Sequence, residues 1–269
     1  NIRFNTRVER ADWDSNTATW TLTARRSDTG ETVQYTANFL AMCSGYYSYK
    51  GGFDPDFPGR DQFGSMVLHP QKWPEDLDYT GKRVVVIGSG ATAMTIVPAM
   101  ADKAAHVTML QRTPTYVVSR PDHDVVNDTL RKVLPERVAY AITRRKNVML
   151  GNYFYSRTRT QPAKVRKLLL GGVRKELGAE YDVQRHFTPP YNPWDQRMCL
   201  LPNGDLFKAI RSGKASVVTD TIERFDATGV CLGSGEHLDA DIVVTATGLN
   251  LVTVGEMEFS VDGERVDFG

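Results

Sequence analysis

The stretch Arg83-Val-Val-Val-Ile-Gly88-Ser-Gly90-Ala-Thr-Ala93 constrains the fold of this chain more than any other. A β-branched run of this kind suits a strand buried on both faces, as at the centre of a parallel sheet. It passes directly into a GxGxxA loop; residues 91–101 then read as a helix and 106–111 as the next strand. Strand, glycine loop, helix and strand make one βαβ unit. Gly88 permits the tight turn, Gly90 lets a pyrophosphate approach backbone N–H groups, and the small Ala93 packs helix on strand. The helix N-terminus faces the phosphates. Gly88, Ser89, Gly90, Ala91, Thr92 and Ala93 are therefore candidate dinucleotide contacts, a tight structural turn being the alternative. Pro98 inside the helix is a local conflict that the sequence leaves open.

The end of the second strand selects between dinucleotides. An NAD-binding chain places Asp or Glu there to accept from the ribose 2′-hydroxyl, whereas this chain has Gln111-Arg112-Thr113. A carboxylate would repel a 2′-phosphate, and the Arg112 guanidinium can grip one through two parallel hydrogen bonds. NADPH is favoured, with Gln111, Arg112 and Thr113 as contacts; an exposed arginine in an ion pair is the other reading.

The remaining pattern surrounds this unit. Residues 2–13, 19–26 and 32–39 alternate between apolar and polar and are separated by Asp14-Ser15-Asn16 and Asp28-Thr29-Gly30, which predicts a β-meander. Residues 39–45 read as a short buried strand ending in glycine. From 46 to 81 Gly, Pro and aromatics dominate, as in a linker. Helical periodicity returns at 125–133, 137–150 and 163–177, with solvated basic clusters at Arg144-Arg145-Lys146 and Arg166-Lys167. A strand at 215–218, a β-pair over 222–232 and the apolar run 241–248 close the pattern. The triplets Cys43-Ser44-Gly45 and Ala246-Thr247-Gly248 end matching runs.

Composition removes several classes of function. With 33 Lys and Arg against 32 Asp and Glu, no net field draws in nucleic acid; weak contact with a membrane surface is left open. The cysteines Cys43, Cys199 and Cys231 lie far apart in no CxxC pair, which suggests neither a disulfide framework nor a zinc site, so no metal is expected and a cytoplasmic location fits. No apolar run is long enough to span a membrane.

Two further motifs carry a resemblance. Phe63-Gly-Ser65-Met-Val-Leu-His69-Pro-Gln-Lys-Trp73-Pro74, just ahead of the glycine loop, resembles the Baeyer–Villiger flavin monooxygenase fingerprint Phe-x-Gly-x-x-x-His-x-x-x-Trp-Pro, with Ser65 in the glycine position. His69 and Trp73 read physically as anchors of a linker. The run from His69 to Asp78 is similar to the actinobacterial ethionamide-activating type. Within Tyr191-Asn-Pro-Trp-Asp-Gln196-Arg197-Met-Cys-Leu-Leu-Pro202 a lone arginine invites an anionic partner, either a ligand or an acid such as Asp195. The resemblance implies that Arg197 lies beside the flavin and is essential for oxygenation, with Gln196 touching the nicotinamide cofactor. It also implies that Ser44, Gly45, Thr247 and Gly248 belong to the junctions connecting FAD and NADPH domains.

The expected fold is α/β: a Rossmann-like three-layer NADPH domain with a parallel sheet and a helical insertion, set into part of an FAD-binding domain. The expected division is 1–50 partial FAD-binding domain, 51–82 linker with the fingerprint, 83–240 NADPH domain with an insertion at about 122–190, and 241–269 returning to the FAD domain. The family's own FAD-phosphate loop is not found, and the chain reads as a central fragment, inactive by itself. The resemblance implies that NADPH reduces FAD, that the reduced flavin activates O2, and that a ketone becomes an ester or lactone, or a thioether a sulfoxide. The alternatives are a flavin-containing S- or N-monooxygenase and a non-catalytic NADPH-binding module.

Overall fold

The structure is a computed structural model and describes residues 2–268. They form two compact units, one made of the stretches up to Phe53 and from Leu249 onward, the other of Asp54–Gly248.

In the first unit β1 (Thr6–Asp14), β2 (Thr19–Arg26) and β3 (Thr32–Ala37) form the expected antiparallel meander. Asp14 Oδ1 accepts the Asn16 N–H at 2.8 Å, and Gly30 turns with φ 73°, as Asx and glycine turns require. Residues 39–45 form no strand, contrary to expectation, and Phe39 is 83% exposed. A strand buried on both faces needs partners and covering layers, and the described residues supply neither there. β4 (Tyr47–Gly52) follows.

The second unit runs through β5 (Met66–Leu68), β6 (Arg83–Ile87), α1 (Ala91–Ala101), β7 (His106–Gln111) and β8 (Tyr116–Arg120). Four helices come next: α2 (Val125–Val133), α3 (Glu136–Thr160), α4 (Pro162–Leu177) and α5 (Val183–Phe187). Then come β9 (Met198–Pro202), α6 (Asp205–Arg211), β10 (Ala215–Thr219), β11 (Ile222–Phe225), β12 (Gly229–Leu232), β13 (His237–Asp239) and β14 (Ile242–Thr245). The chain re-enters the first unit through β15 (Leu249–Leu251), paired with β4, then β16 (Glu258–Val261), parallel to β1, and β17 (Glu264–Arg265).

Five strands in the order β10-β7-β6-β14-β5 make an all-parallel sheet with β6 at its centre. Alternation within β6 divides the core. Val84 and Val86 pack with Ala93, Met94 and Val97 of α1 and with Leu206 and Phe207 of α6. Val85 and Ile87 pack with Phe225, Val230 and Leu232 of a small antiparallel sheet, β11-β12-β13. The unit thus has three layers, helices on one face and a second sheet on the other. Each fully buried aliphatic side chain contributes roughly 1.5–3 kcal/mol.

The sheet draws β5 from the expected linker and β14 from beyond residue 240. A central strand must satisfy backbone groups along both edges, and β7 covers only one edge of β6; β14, buried along its whole length, ladders against the other. α1 runs unbroken through Pro98 because Met94 and Val97, both at most 2% exposed, hold it on the sheet. Among the helices of the insertion, α3 exceeds its expected end at residue 150, since no proline interrupts it before Pro162. Asp124 caps α2 and also accepts from Lys146 Nζ at 2.7 Å; that lysine holds the carboxyl down at about 2. Lys146 of the basic clusters is therefore paired, while Arg144 and Arg145 are exposed. Among the described residues no helix is long and apolar enough to cross a membrane.

Candidate functional site at the carboxyl edge of the parallel sheet

Parallel strands release their chains at one edge, and ligands of open α/β sheets bind beyond the strands' carboxyl ends. Here that edge collects the loop after β6, the segment after β7 and the triplet after β14. Gly88 donates its N–H to Leu110 O at 2.8 Å and has φ 135°. Any Cβ there would press into the backbone carbonyl of Ala246, so only glycine passes between β6 and β14. Ser89 Oγ donates to Thr113 O at 3.1 Å and lies 3.5 Å from Thr115 Oγ1, which fastens the glycine loop to the segment after β7.

Gly90 is the N-cap of α1, and no side chain caps that helix. Its first-turn N–H groups are thereby left for an anion. Ala91 and Thr92 are exposed on that turn, while Ala93 is fully buried against the sheet. A Cβ on Gly90 would stand 3.2 Å from Arg197 Nη2. The guanidinium of Arg197 therefore rests against the glycine loop.

Arg197 is exposed rather than buried, so no desolvation cost forces a partner on it. It does not pair with Asp195, whose carboxylate instead accepts from Arg159 Nη1 of α3 at 2.7 Å and from the Asn192 N–H at 3.2 Å. Arg197 does lie close to Cys199: burial pushes that thiol up, and the guanidinium pulls the other way. Gln196 is exposed next to it and bridges to Pro193.

Arg112 is exposed at the end of β7, as is Thr113, and among the described residues no ion pair engages Arg112. Gln111 differs from its neighbours. It is 2% exposed, and its Nε2 donates to His186 O at 2.7 Å and to Thr219 Oγ1 at 2.9 Å. The side chain thus joins β7 to β10 and α5 inside the unit. We expect Gln111→Ala to lower stability by about 1–2 kcal/mol while leaving NADPH affinity within about twofold, measured by urea unfolding and calorimetry.

The fingerprint meets the same edge. His69 Nδ1 accepts the Gln71 N–H at 3.2 Å, so Nε2 carries the proton and donates to Gly248 O at 2.9 Å. This ties the end of β5 to the triplet after β14, where Thr247 Oγ1 also reaches Thr245 O. Phe63 is buried edge-on against Phe225, whereas Trp73 is 36% exposed and Ser65 exposed. Ser44 and Gly45 belong to the other unit, where Ser44 lies close under Gly255. Thr115 joins the site without any signal in the sequence, since it falls within no motif, whereas Cys199 lies two residues after Arg197 in the same segment.

A profile of the flavin-binding monooxygenase-like family matches residues 1–254. This chain belongs to the flavin-binding monooxygenase-like family. It is 52% identical over 267 residues to the FAD-containing monooxygenase EthA of Mycobacterium tuberculosis, covering 99% of this chain and 54% of that one. It is 51% identical to the probable FAD-binding monooxygenase AlmA of Acinetobacter baylyi, covering 99% and 53%. The chain thus spans about half the length of the curated relatives it matches. Among solved structures, the open form of cyclohexanone monooxygenase superposes with a TM-score of 0.74 at 20% identity, covering 97% of this chain and 57% of that one. Oxidized steroid monooxygenase bound to NADP gives 0.70 at 24%, covering 96% and 55%. At those identities the likeness concerns the fold, and it agrees with the α/β architecture found for this flavin-binding monooxygenase-like chain.

Proposed function

We propose that this chain is the NADPH-binding portion of an FAD-dependent monooxygenase of Baeyer–Villiger type, acting with O2 on ketones or thioethers. The observation that carries the reading is Arg197: a guanidinium with no carboxylate partner among the described residues, leaning on Gly90 of the dinucleotide loop. Membership in the flavin-binding monooxygenase-like family and likeness to FAD-containing monooxygenases support it.

The residues fit one dinucleotide. The uncapped α1 turn and the Cβ-free Gly90 accept a pyrophosphate, Arg112 accepts a 2′-phosphate, and Gly88 keeps the loop close to β14. The described residues hold a single strand, glycine loop and helix unit of this kind, which this reading assigns to the nicotinamide dinucleotide. When bound by the whole protein, FAD supplies the oxygen chemistry. The residues of this chain bind and orient the nicotinamide cofactor. Ser89 and Thr113 fix the loop, His69 fixes the Gly248 crossing, and Arg197 presents preorganised positive charge where cofactor and substrate oxygens meet. Gln196 sits next to that charge as a further cofactor contact, and Ser44, Gly45 and Thr247 are cofactor contacts each within its own unit.

Calorimetric titration of the chain with NADPH, NADH and FAD tests the reading. NADPH binding well above NADH is the expected result; equal weak binding of all three would sink it. Arg197→Ala should weaken NADPH and NADH alike by about tenfold, because the pyrophosphate is common to both and a hydrogen bond to a charged group is worth about 1.5–3 kcal/mol. A loss confined to NADPH would move Arg197 to the 2′-phosphate. Ser65, standing where the fingerprint has glycine, favours a second reading as an S- or N-monooxygenase, separated by assaying the full-length protein on a cyclic ketone and on a thioether.

A further inference from the structure

The outer sheet carries a polar cluster that the dinucleotide edge does not use. In β12, Val230 and Leu232 point into the core, so Cys231 between them faces outward, and its cross-strand partner is His237 on β13. Asp226, in the turn between β11 and β12, completes the group. Its Oδ2 accepts from Cys231 Sγ at 3.3 Å and lies 3.0 Å from His237 Nε2. The carboxylate is fixed by its other oxygen, which accepts the Thr228 N–H at 2.8 Å and the Gly229 N–H at 3.0 Å. Behind the ring, Asp239 Oδ1 stands 3.1 Å from His237 Nδ1. Nε2 thus faces the Asp226 carboxylate and Nδ1 faces Asp239, so a cation that takes the Nε2 position leaves the ring proton on Nδ1, shared with Asp239.

We propose that Asp226, Cys231 and His237 form a binding site for a divalent transition-metal cation, Zn2+ being the best match, with Asp239 orienting His237. One thiolate, one imidazole and one carboxylate are the donors this ion takes, and a water completes four-coordination. Hard cations such as Mg2+ and Ca2+ favour all-oxygen sets and are not suited to a thiolate. The three ligand atoms already lie within 4.8 Å of one another. Neighbouring ligands around tetrahedral zinc are separated by roughly 3.3–3.6 Å, given Zn–S near 2.3 Å and Zn–N or Zn–O near 2.0–2.1 Å. The observed 3.0 and 3.3 Å need to open by only a few tenths of an ångström. The carboxylate behind the imidazole is the outer partner that metal-binding histidines commonly have. On binding, Cys231 gives its thiol proton to solvent as the sulfur–metal bond forms, and the cation keeps its charge. The ion then clips the Asp226 turn to β12 and β13.

The test is titration of the 269-residue chain with CoCl2, followed by competition with ZnCl2. One equivalent of Co2+ should give an intense near-ultraviolet thiolate-to-cobalt band, which Zn2+ then bleaches. Cys231→Ser should abolish the band and Cys43→Ser should leave it intact. Asp239→Asn, which keeps the ligands, should weaken Zn2+ binding about 10–100-fold. Absence of the band in the unaltered chain, or its survival in Cys231→Ser, overturns the site; unchanged affinity in Asp239→Asn overturns the orienting role.

Discussion

Alanine at position 88 is expected to lower the unfolding free energy by about 3 kcal/mol or more and to remove measurable NADPH binding. Two costs combine there. The φ of 135° lies outside the region open to residues with a side chain, and the added methyl would press into the Ala246 carbonyl. That carbonyl closes a strand paired to β6 over four residues, so it cannot retreat without parting the sheet at its centre. Relief can come only by shifting the loop, which moves Gly90 and the first turn of α1 away from the phosphate path. Gly235→Ala is the control for strain alone: its φ of 86° is also unfavourable, but nothing stands within 4 Å of the added Cβ. Urea unfolding of both variants separates the terms, and wild-type stability in Gly88→Ala would refute the close packing of β6 on β14.

Arg112→Ala is expected to weaken NADPH about 100-fold while changing NADH less than about twofold. The guanidinium is exposed at the end of β7 and makes no ion pair among the described residues, so its removal breaks no salt bridge there. What it removes is a pair of charge-assisted hydrogen bonds to a dianionic group, of the order of 2–3 kcal/mol. NADH lacks that group and should not register the change. Raised salt should shrink the difference, since an exposed interaction is screened. Equal losses for the two nucleotides, measured by calorimetry at fixed ionic strength, would remove the 2′-phosphate role. Arg112→Lys should recover part of the affinity, but not the planar two-point geometry.

The elements around the glycine loop were legible because local pattern and tertiary role agree there. The run 83–87 is β-branched and central, and Ala93 is small because it packs against the sheet. Gln111 shows where such reading stops. As one of three consecutive polar residues at a strand end it resembles a ligand contact, yet strand alternation turns it inward between His186 and Thr219 while Arg112 turns out. Residues 39–45 fail for a different reason. Their apolar character matches a buried strand, but burial depends on partner strands that no local pattern supplies. Nor could spacing reveal the cluster on the outer sheet: Asp226, Cys231 and His237 fit no linear ligand motif, because a turn and two antiparallel strands bring them together. The exchange of Asp195 from Arg197 to Arg159 was equally hidden, since Arg159 arrives from α3.

The strand order also governs how this unit can be made. β6 and β7 are joined by one helix and can pair early, but β6 meets its other neighbour only after residues 242–245 have left the ribosome. Until then one edge of the central strand is an open template for a foreign strand. Pairing between such distant segments is slow, and an intermediate with a bare edge is prone to aggregate. Expression of pieces cut before residue 245 should therefore deliver insoluble material even though the glycine loop, α1 and Arg112 are all present.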